Sequence, residues 1–165
     1  MDQHRPFPHA VEAAAGVRLR LAQDDDAETI AGWTQAPEVH RRWGGRAIDV
    51  DEVRASYTGR RSPQVVAYVV CDRGGPVGYA QAWQRSDRCG IDMFIAAHAQ
   101  GRGVGSAAGR ALAEELTAAG WVPLTVDPAL DNTRAIDAWR AAGFVETGDP
   151  AYDGGELVQL MTFVP

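Results

Sequence analysis

Val17, Leu19 and Leu21 alternate with Arg18 and Arg20. This two-residue period belongs to an extended chain with one buried and one wetted face, and it predicts a first strand. Asp24 to Asp26 then offer N-caps to a helix running through Trp33, and a second short helix is expected from Pro37 to Trp43, ahead of Gly44 and Gly45. Asp49 and Glu52 have capping-box spacing and predict another helical turn ending near Tyr57 to Gly59. Two apolar runs, Val65 to Cys71 and Val77 to Trp83, are joined through Asp72-Arg73-Gly74-Gly75-Pro76 and read as a β-hairpin. A third strand runs from about Gly90 to Ile95.

The period then changes. Val104, Ala107, Ala108, Ala111, Leu112 and Leu116 recur at helical spacing, and Gly120 supplies the stop. Leu124 to Val126 reads as a short buried strand, Asn132 to Ala142 as a helix ended by Gly143, and Phe144 to Thr147 and Leu157 to Phe163 as two closing strands. Strands separated by helical crossovers imply a mixed α/β sheet with a parallel step. We expect a single domain over residues 17–165, preceded by a flexible tail over 1–16, where Pro6, Pro8, His4 and His9 interrupt any apolar period.

Composition narrows the function classes. No stretch is apolar enough to predict a membrane span. Residues 1–86 carry 11 acids and 11 arginines, whereas residues 87–165 carry 11 acids and 5 arginines, so the net charge of −6 belongs to the second half. Such a surface repels nucleic acid and attracts cationic ligands; ordinary solubility charge is the alternative. Cys71 and Cys89 fall inside expected strands and the four histidines are scattered. They suggest free thiols in a reducing cytoplasm and no metal site.

Gln100-Gly101-Arg102-Gly103-Val104-Gly105 stands between the third strand and the alanine-rich helix. Glycines let successive backbone N–H groups face one anion, and the helix N-terminus adds its dipole, so the run reads as a diphosphate cradle. No Lys-Ser/Thr pair follows, which excludes a Walker loop.

The order of elements, with Gln-x-x-Gly-x-Gly opening the central helix, resembles the GNAT superfamily of acetyl-CoA-dependent N-acetyltransferases. From Trp43 onward, the segments Trp43-Gly44-Gly45, Gly78-Tyr79-Ala80-Gln81, Gly90-Ile91-Asp92, Asp127-Pro128, Asn132, Arg134-Ala135-Ile136 and Ala142-Gly143-Phe144 resemble aminoglycoside 6′-N-acetyltransferases. Siderophore-precursor and lysine acetyltransferases are similar over the same region. The resemblance implies a mixed sheet of about six to seven strands flanked by about four helices. Within it, the strand from Gly90 and the strand from Leu124 splay apart around acetyl-CoA.

By the same resemblance Met93, Phe94 and Ile95 hold the pantetheine arm, Gln100, Gly101, Arg102, Gly103, Val104, Gly105 and Ser106 hold the diphosphate, and Asn132 contacts the donor while also serving as an N-cap. A backbone N–H near Phe94 would stabilise the oxyanion. Asp92 would be the general base that takes a proton from the acceptor amine, and Asp127, at a strand's carboxyl end, would hold that amine and share base duty. Trp43, Tyr57 and Gln81 would line the acceptor site, with core packing as their alternative, and Asp87, Asp153 and Glu156 would meet further ammonium groups.

Two departures stand out against the family. Trp139 occupies the place of a tyrosine proposed to protonate the departing thiolate, leaving Tyr152 or water for that task, and the loop from Gln84 to Cys89 is short. The expected function is acetylation of an aminoglycoside 6′-amine by a cytoplasmic monomer or homodimer. A small metabolic amine as acceptor, or acyl-CoA sensing without catalysis, are the alternatives.

Overall fold

A computed structural model describes residues 4–165. Its main sheet has eight strands: β1 (Ala10–Glu12), β2 (Arg18–Leu21), β3 (Val65–Asp72), β4 (Gly75–Gln84), β5 (Cys89–Ile95), β6 (Leu124–Val126), β7 (Phe144–Glu146) and β10 (Met161–Phe163). They lie in the order β1-β2-β3-β4-β5-β6-β10-β7. A separate hairpin pairs β8 (Ala151–Asp153) with β9 (Glu156–Val158). Five helices accompany the strands: α1 (Ala27–Thr34), α2 (Pro37–His40), α3 (Val50–Ser56), α4 (Val104–Ala118) and α5 (Thr133–Ala141). Among the described residues no helix is long and apolar enough to cross a membrane.

The near-continuous apolar run of β3 is explained by burial on both faces. Val66, Tyr68 and Val70 join a core that includes Leu112 and Leu116 of α4 and Trp139 of α5. Ala67, Val69 and Cys71 join a second core under α1, α2 and α3, with Tyr79 and Phe94. Trp43 and Tyr57 pack at the edge of this second core, with Trp43 5.0 Å from Phe94 and Tyr57 5.4 Å from Tyr79, centroid to centroid.

Two sequence expectations need correction. The stretch read as a tail is tied down. β1 pairs with β2, Tyr68 donates to the Pro8 carbonyl at 2.8 Å, and the buried Trp121 indole donates to the Pro6 carbonyl at 2.7 Å. Buried aromatic side chains with polar tips need acceptors, and this segment's carbonyls supply them. Residues 1–3 lie outside the described residues. The single closing strand over 157–163 is instead divided between β9 and β10. The buried Gln159 turns the chain there, donating through Nε2 to the carbonyls of Gly148 and Leu160.

All neighbouring strands are antiparallel except β5 and β6, which α4 connects and which pair in parallel only at Cys89 with Leu124 and Gly90 with Thr125. Beyond Gly90 they diverge. A Cβ on Gly90 would come within 2.2 Å of Trp83 Cζ2 and 2.9 Å of the Thr125 carbonyl oxygen. The indole therefore lies across a bare backbone at the last paired position. Arg85 and Arg88 stack on it at 5.2 and 5.6 Å.

Candidate active site

The splay leaves one side of β5 without a partner strand. Ala96 donates to the Val77 carbonyl at 2.8 Å, so the two-residue alternation turns the backbone groups of Phe94 toward β4 and those of Met93 and Ile95 toward the gap. The Phe94 amide is committed to the sheet, so of the backbone N–H groups near Phe94 it is the Met93 amide that faces the opening. The Ile95 carbonyl is not free either. Gln100 Nε2 donates to it at 3.0 Å while Gln100 Oε1 accepts from Arg134 Nη1 at 3.2 Å. The Gln100 side chain thus fastens the glycine loop to β5 and to α5.

That loop has the form of an anion cradle. Gly101 and Gly103 both have φ +78°, the left-handed region that suits glycine. Among the described residues the backbone N–H groups from Gly101 to Ser106 find no acceptor within the chain; the Ala107 amide is the first to close a helical bond, on Gly103. Arg102 turns outward, its Nη2 donating to the His98 carbonyl, and does not line the groove. The other residues expected there, Met93, Phe94, Ile95, Gln100, Gly101, Gly103, Val104, Gly105, Ser106 and Asn132, all do.

This groove encloses about 490 Å³ and meets a second cavity of about 490 Å³ at Arg42, Met93, Asn132, Ala135 and Trp139. Asn132 caps α5, its Oδ1 accepting from the Ala135 amide at 3.3 Å, and still faces both spaces. Trp139 is buried at the junction because α4 makes room for it. A Cβ on Gly109 would meet Trp139 Cζ3 at 2.8 Å and Met93 Cε at 3.3 Å.

Trp43, Tyr57, Gln81, Asp92, Asp127, Asp153 and Glu156 line the second cavity together. Asp87 lies exposed in the short β4–β5 turn and does not reach it, because that turn is too brief to fold inward. Tyr152 is 79% exposed and is also absent from both spaces. Sequence reasoning missed Arg42, Arg46 and Glu52, which also line this cavity. Arg46 and Glu52 neutralise each other in a two-bond pair at 2.9 and 2.7 Å. Arg42 bonds Asp131 at 2.7 Å across the junction. Both arginines flank the Trp43-Gly44-Gly45 segment, which was the available signal.

The carboxylates on the acidic wall perturb one another. Burial pushes the Asp92 carboxyl above the usual range, opposed by a 3.0 Å bond from Gln81 Nε2 and by Trp83 and Arg85. Asp127 is pushed up to about 6, first by burial and then by Asp92 and Asp153, with Arg88 opposing. A carboxyl raised in the folded state holds its proton more tightly folded than unfolded. Its effect on stability is therefore absent near pH 4, grows as pH rises toward 6, and remains as a constant penalty above that. Asp127→Asn is accordingly expected to raise Tm at pH 8, with the gain shrinking as pH is lowered through 6 toward 4. A fluorimetric melting series across pH checks this, and a gain independent of pH would refute it.

Residues 22–150 match the family described as Acetyltransferase (GNAT) domain. No curated protein sequence matches the chain significantly. Among solved structures, the complex of AAC(6')-Ib with ribostamycin and coenzyme A superposes with TM-score 0.80 at 28% identity, covering 90% of this chain and 93% of that one. The complex of AAC(6')-Ib with coenzyme A and kanamycin gives TM-score 0.78 at 27% identity over 88% and 93%. Spermidine N-acetyltransferase from Vibrio cholerae, with CoA and spermine, gives 0.73 at 20% identity over 90% and 95%, a likeness of fold. With a splayed parallel strand pair, an unsatisfied glycine loop at the head of α4 and a family match across most of its length, the chain belongs to the GNAT acetyltransferases.

Proposed function

We propose that the protein transfers acetyl from acetyl-CoA directly to the 6′-amine of an aminoglycoside. The observation that carries this reading is a wall of four carboxylates, Asp92, Asp127, Asp153 and Glu156, in a cavity that opens at Met93 and Trp139 into the glycine-loop groove. A polycationic acceptor suits that wall, and Trp43 and Tyr57 offer aromatic surface beside it. The likeness to AAC(6')-Ib supports the same acceptor class.

The residues present fit the donor. The N–H groups of Gly101 to Ser106 would hold its diphosphate, and the Met93 backbone would pair with its arm in the gap. When bound, the thioester supplies an activated acetyl group. Asp92 takes the proton of the acceptor's ammonium, which must be lost for nitrogen to act as a nucleophile. Asp127 and Asp153 hold the cation in place, and their mutual repulsion falls when it arrives. The Met93 amide, which faces the gap, would donate to the charge that develops on the carbonyl oxygen. Trp139 brings no acidic proton to the junction. Near pH 8 none is required, since a free thiol has a pKa of about 8.5.

Thiol release from acetyl-CoA across a panel of kanamycin, ribostamycin, spermidine and lysine tests donor, acceptor class and catalysis together. Turnover with the aminoglycosides is expected. The short, exposed β4–β5 turn favours a second reading, a small amine acceptor. Turnover with spermidine or lysine alone would establish that reading instead, and silence with every amine while acetyl-CoA binds would point to a sensor.

A further inference from the structure

Tyr79 and Gln81 are two residues apart on β4 and therefore share a face, and Gln81 stands directly opposite Asp92 on β5. That register makes a continuous chain of bonds. The Tyr79 hydroxyl donates to Gln81 Oε1 at 3.0 Å, and Gln81 Nε2 donates to Asp92 Oδ2 at 3.0 Å. Tyr79 is fully buried among Trp43, Tyr57 and Phe94. Burial holds its phenol neutral far above the ordinary range, so it keeps its proton throughout the working pH.

We propose that Tyr79 is a positioning residue for catalysis: by donating to the oxygen of the Gln81 amide it turns the N–H of that amide, and not its C=O, toward Asp92. This inference rests on the reading of Asp92 as the general base. The physical argument concerns an amide with two orientations. With Oε1 toward Tyr79, both the phenolic hydrogen and the Asp92 carboxylate are satisfied. Rotated by half a turn, the amide would present Oε1 to Asp92, which could then bond it only by holding a proton, and the phenolic hydrogen would be left buried without an acceptor. Tyr79 therefore biases Gln81 toward the orientation that stabilises the charged, proton-accepting form of Asp92. Without the hydroxyl the amide can turn its oxygen to a protonated Asp92 without stranding a phenolic hydrogen, and the protonated carboxyl gains ground.

Other groups face Asp92: Trp83 and Arg85 from β4 and the turn after it, Asp127 at the end of β6, Tyr57 at the end of α3, Arg46 and Glu52 from the cavity lining, and Asp153 and Glu156 from the β8–β9 hairpin. Tyr79→Phe removes one oxygen, keeps the ring packing and alters none of them.

The test is a titration of the unliganded protein carrying ¹³Cγ-labelled aspartate, followed by NMR, with the Asp92 signal assigned by its loss in Asp92→Asn. Tyr79→Phe is expected to move the Asp92 midpoint upward by about half a pH unit, the order of the neutral hydrogen bond it removes from the Gln81 amide. Gln81→Met is expected to move it in the same direction, and this variant carries the test if Tyr79→Phe fails to fold. A midpoint unchanged in either folded variant would overturn the inference. The readout needs no acceptor, so it is separate from the role of Asp92 itself: full turnover in Asp92→Asn would remove the base while leaving the titration result standing.

Discussion

Asp92→Asn will lower turnover by about a thousand-fold, the middle of the range over which a positioned general base acts, while acetyl-CoA binds as it does to the parent. The substitution is nearly isosteric, and the asparagine carbonyl still accepts from Gln81 Nε2, so the β4–β5 register around it is preserved. What disappears is the only atom in that position able to take a proton from an ammonium. The glycine loop lies beyond the end of β5, and the backbone of Met93, the next residue on that strand, keeps its place because only a side-chain tip changes. Calorimetric binding of acetyl-CoA beside stopped thiol-release assays separates the two effects. Loss of donor affinity in parallel with turnover would mean that residue 92 acts by shaping the groove. A fall of less than about ten-fold would transfer the base role to Asp127, whose carboxyl, titrating at about 6, is suited to accept a proton near neutrality.

The second large effect is structural in origin. Gly90→Ala places a methyl group 2.2 and 2.5 Å from Cζ2 and Cε2 of Trp83 and 2.9 Å from the Thr125 carbonyl oxygen. The ring can swing only by giving up Arg85 and Arg88, and the Thr125 oxygen belongs to the backbone of β6. Overpacking of this kind costs about 2–3 kcal/mol, which in a chain of this size lowers Tm by about 5–10 °C. Gly90 also marks the last position at which β5 and β6 touch, and a displaced Trp83 no longer favours the charged form of Asp92. Turnover should therefore fall along with stability. An unchanged melting temperature would show that the two strands can separate a residue earlier without penalty.

Much of this arrangement was legible in the sequence. The glycine loop announced itself because positive φ and free N–H groups are properties of local backbone, and the same holds for Asn132, whose capping geometry is fixed by its own helix. Asp92 and Asp127 were found through strand ends and family resemblance, and the structure sets them on one wall. The misreadings concern distant partners. Nothing local told that the Pro6 and Pro8 carbonyls would be claimed by Trp121 and Tyr68, more than fifty positions away. Gln100 lines the groove as expected, and only tertiary placement shows that its side chain also bonds Ile95 and Arg134. Gln159 broke an apparently continuous strand because a buried amide had carbonyls to satisfy, a demand that alternation of polarity does not encode. Asp87 and Arg102 sat in the right segments but on outward-facing positions, where one rotation of the chain decides between site and solvent.

The divergence of β5 from β6 places a raw sheet margin in the middle of the molecule. Margins at a rim invite association with foreign strands, and proteins ordinarily blunt them with charge, proline or cover. Here the bare amide and carbonyl of Met93 face a groove also lined by Val39 of α2, Val104 of α4 and Trp139 of α5, so the margin lies inside the molecule and not at its rim. A ligand carrying amides of its own can complete the edge there. The same enclosure that guards against aggregation thereby reserves the open edge for a ligand that enters by the groove.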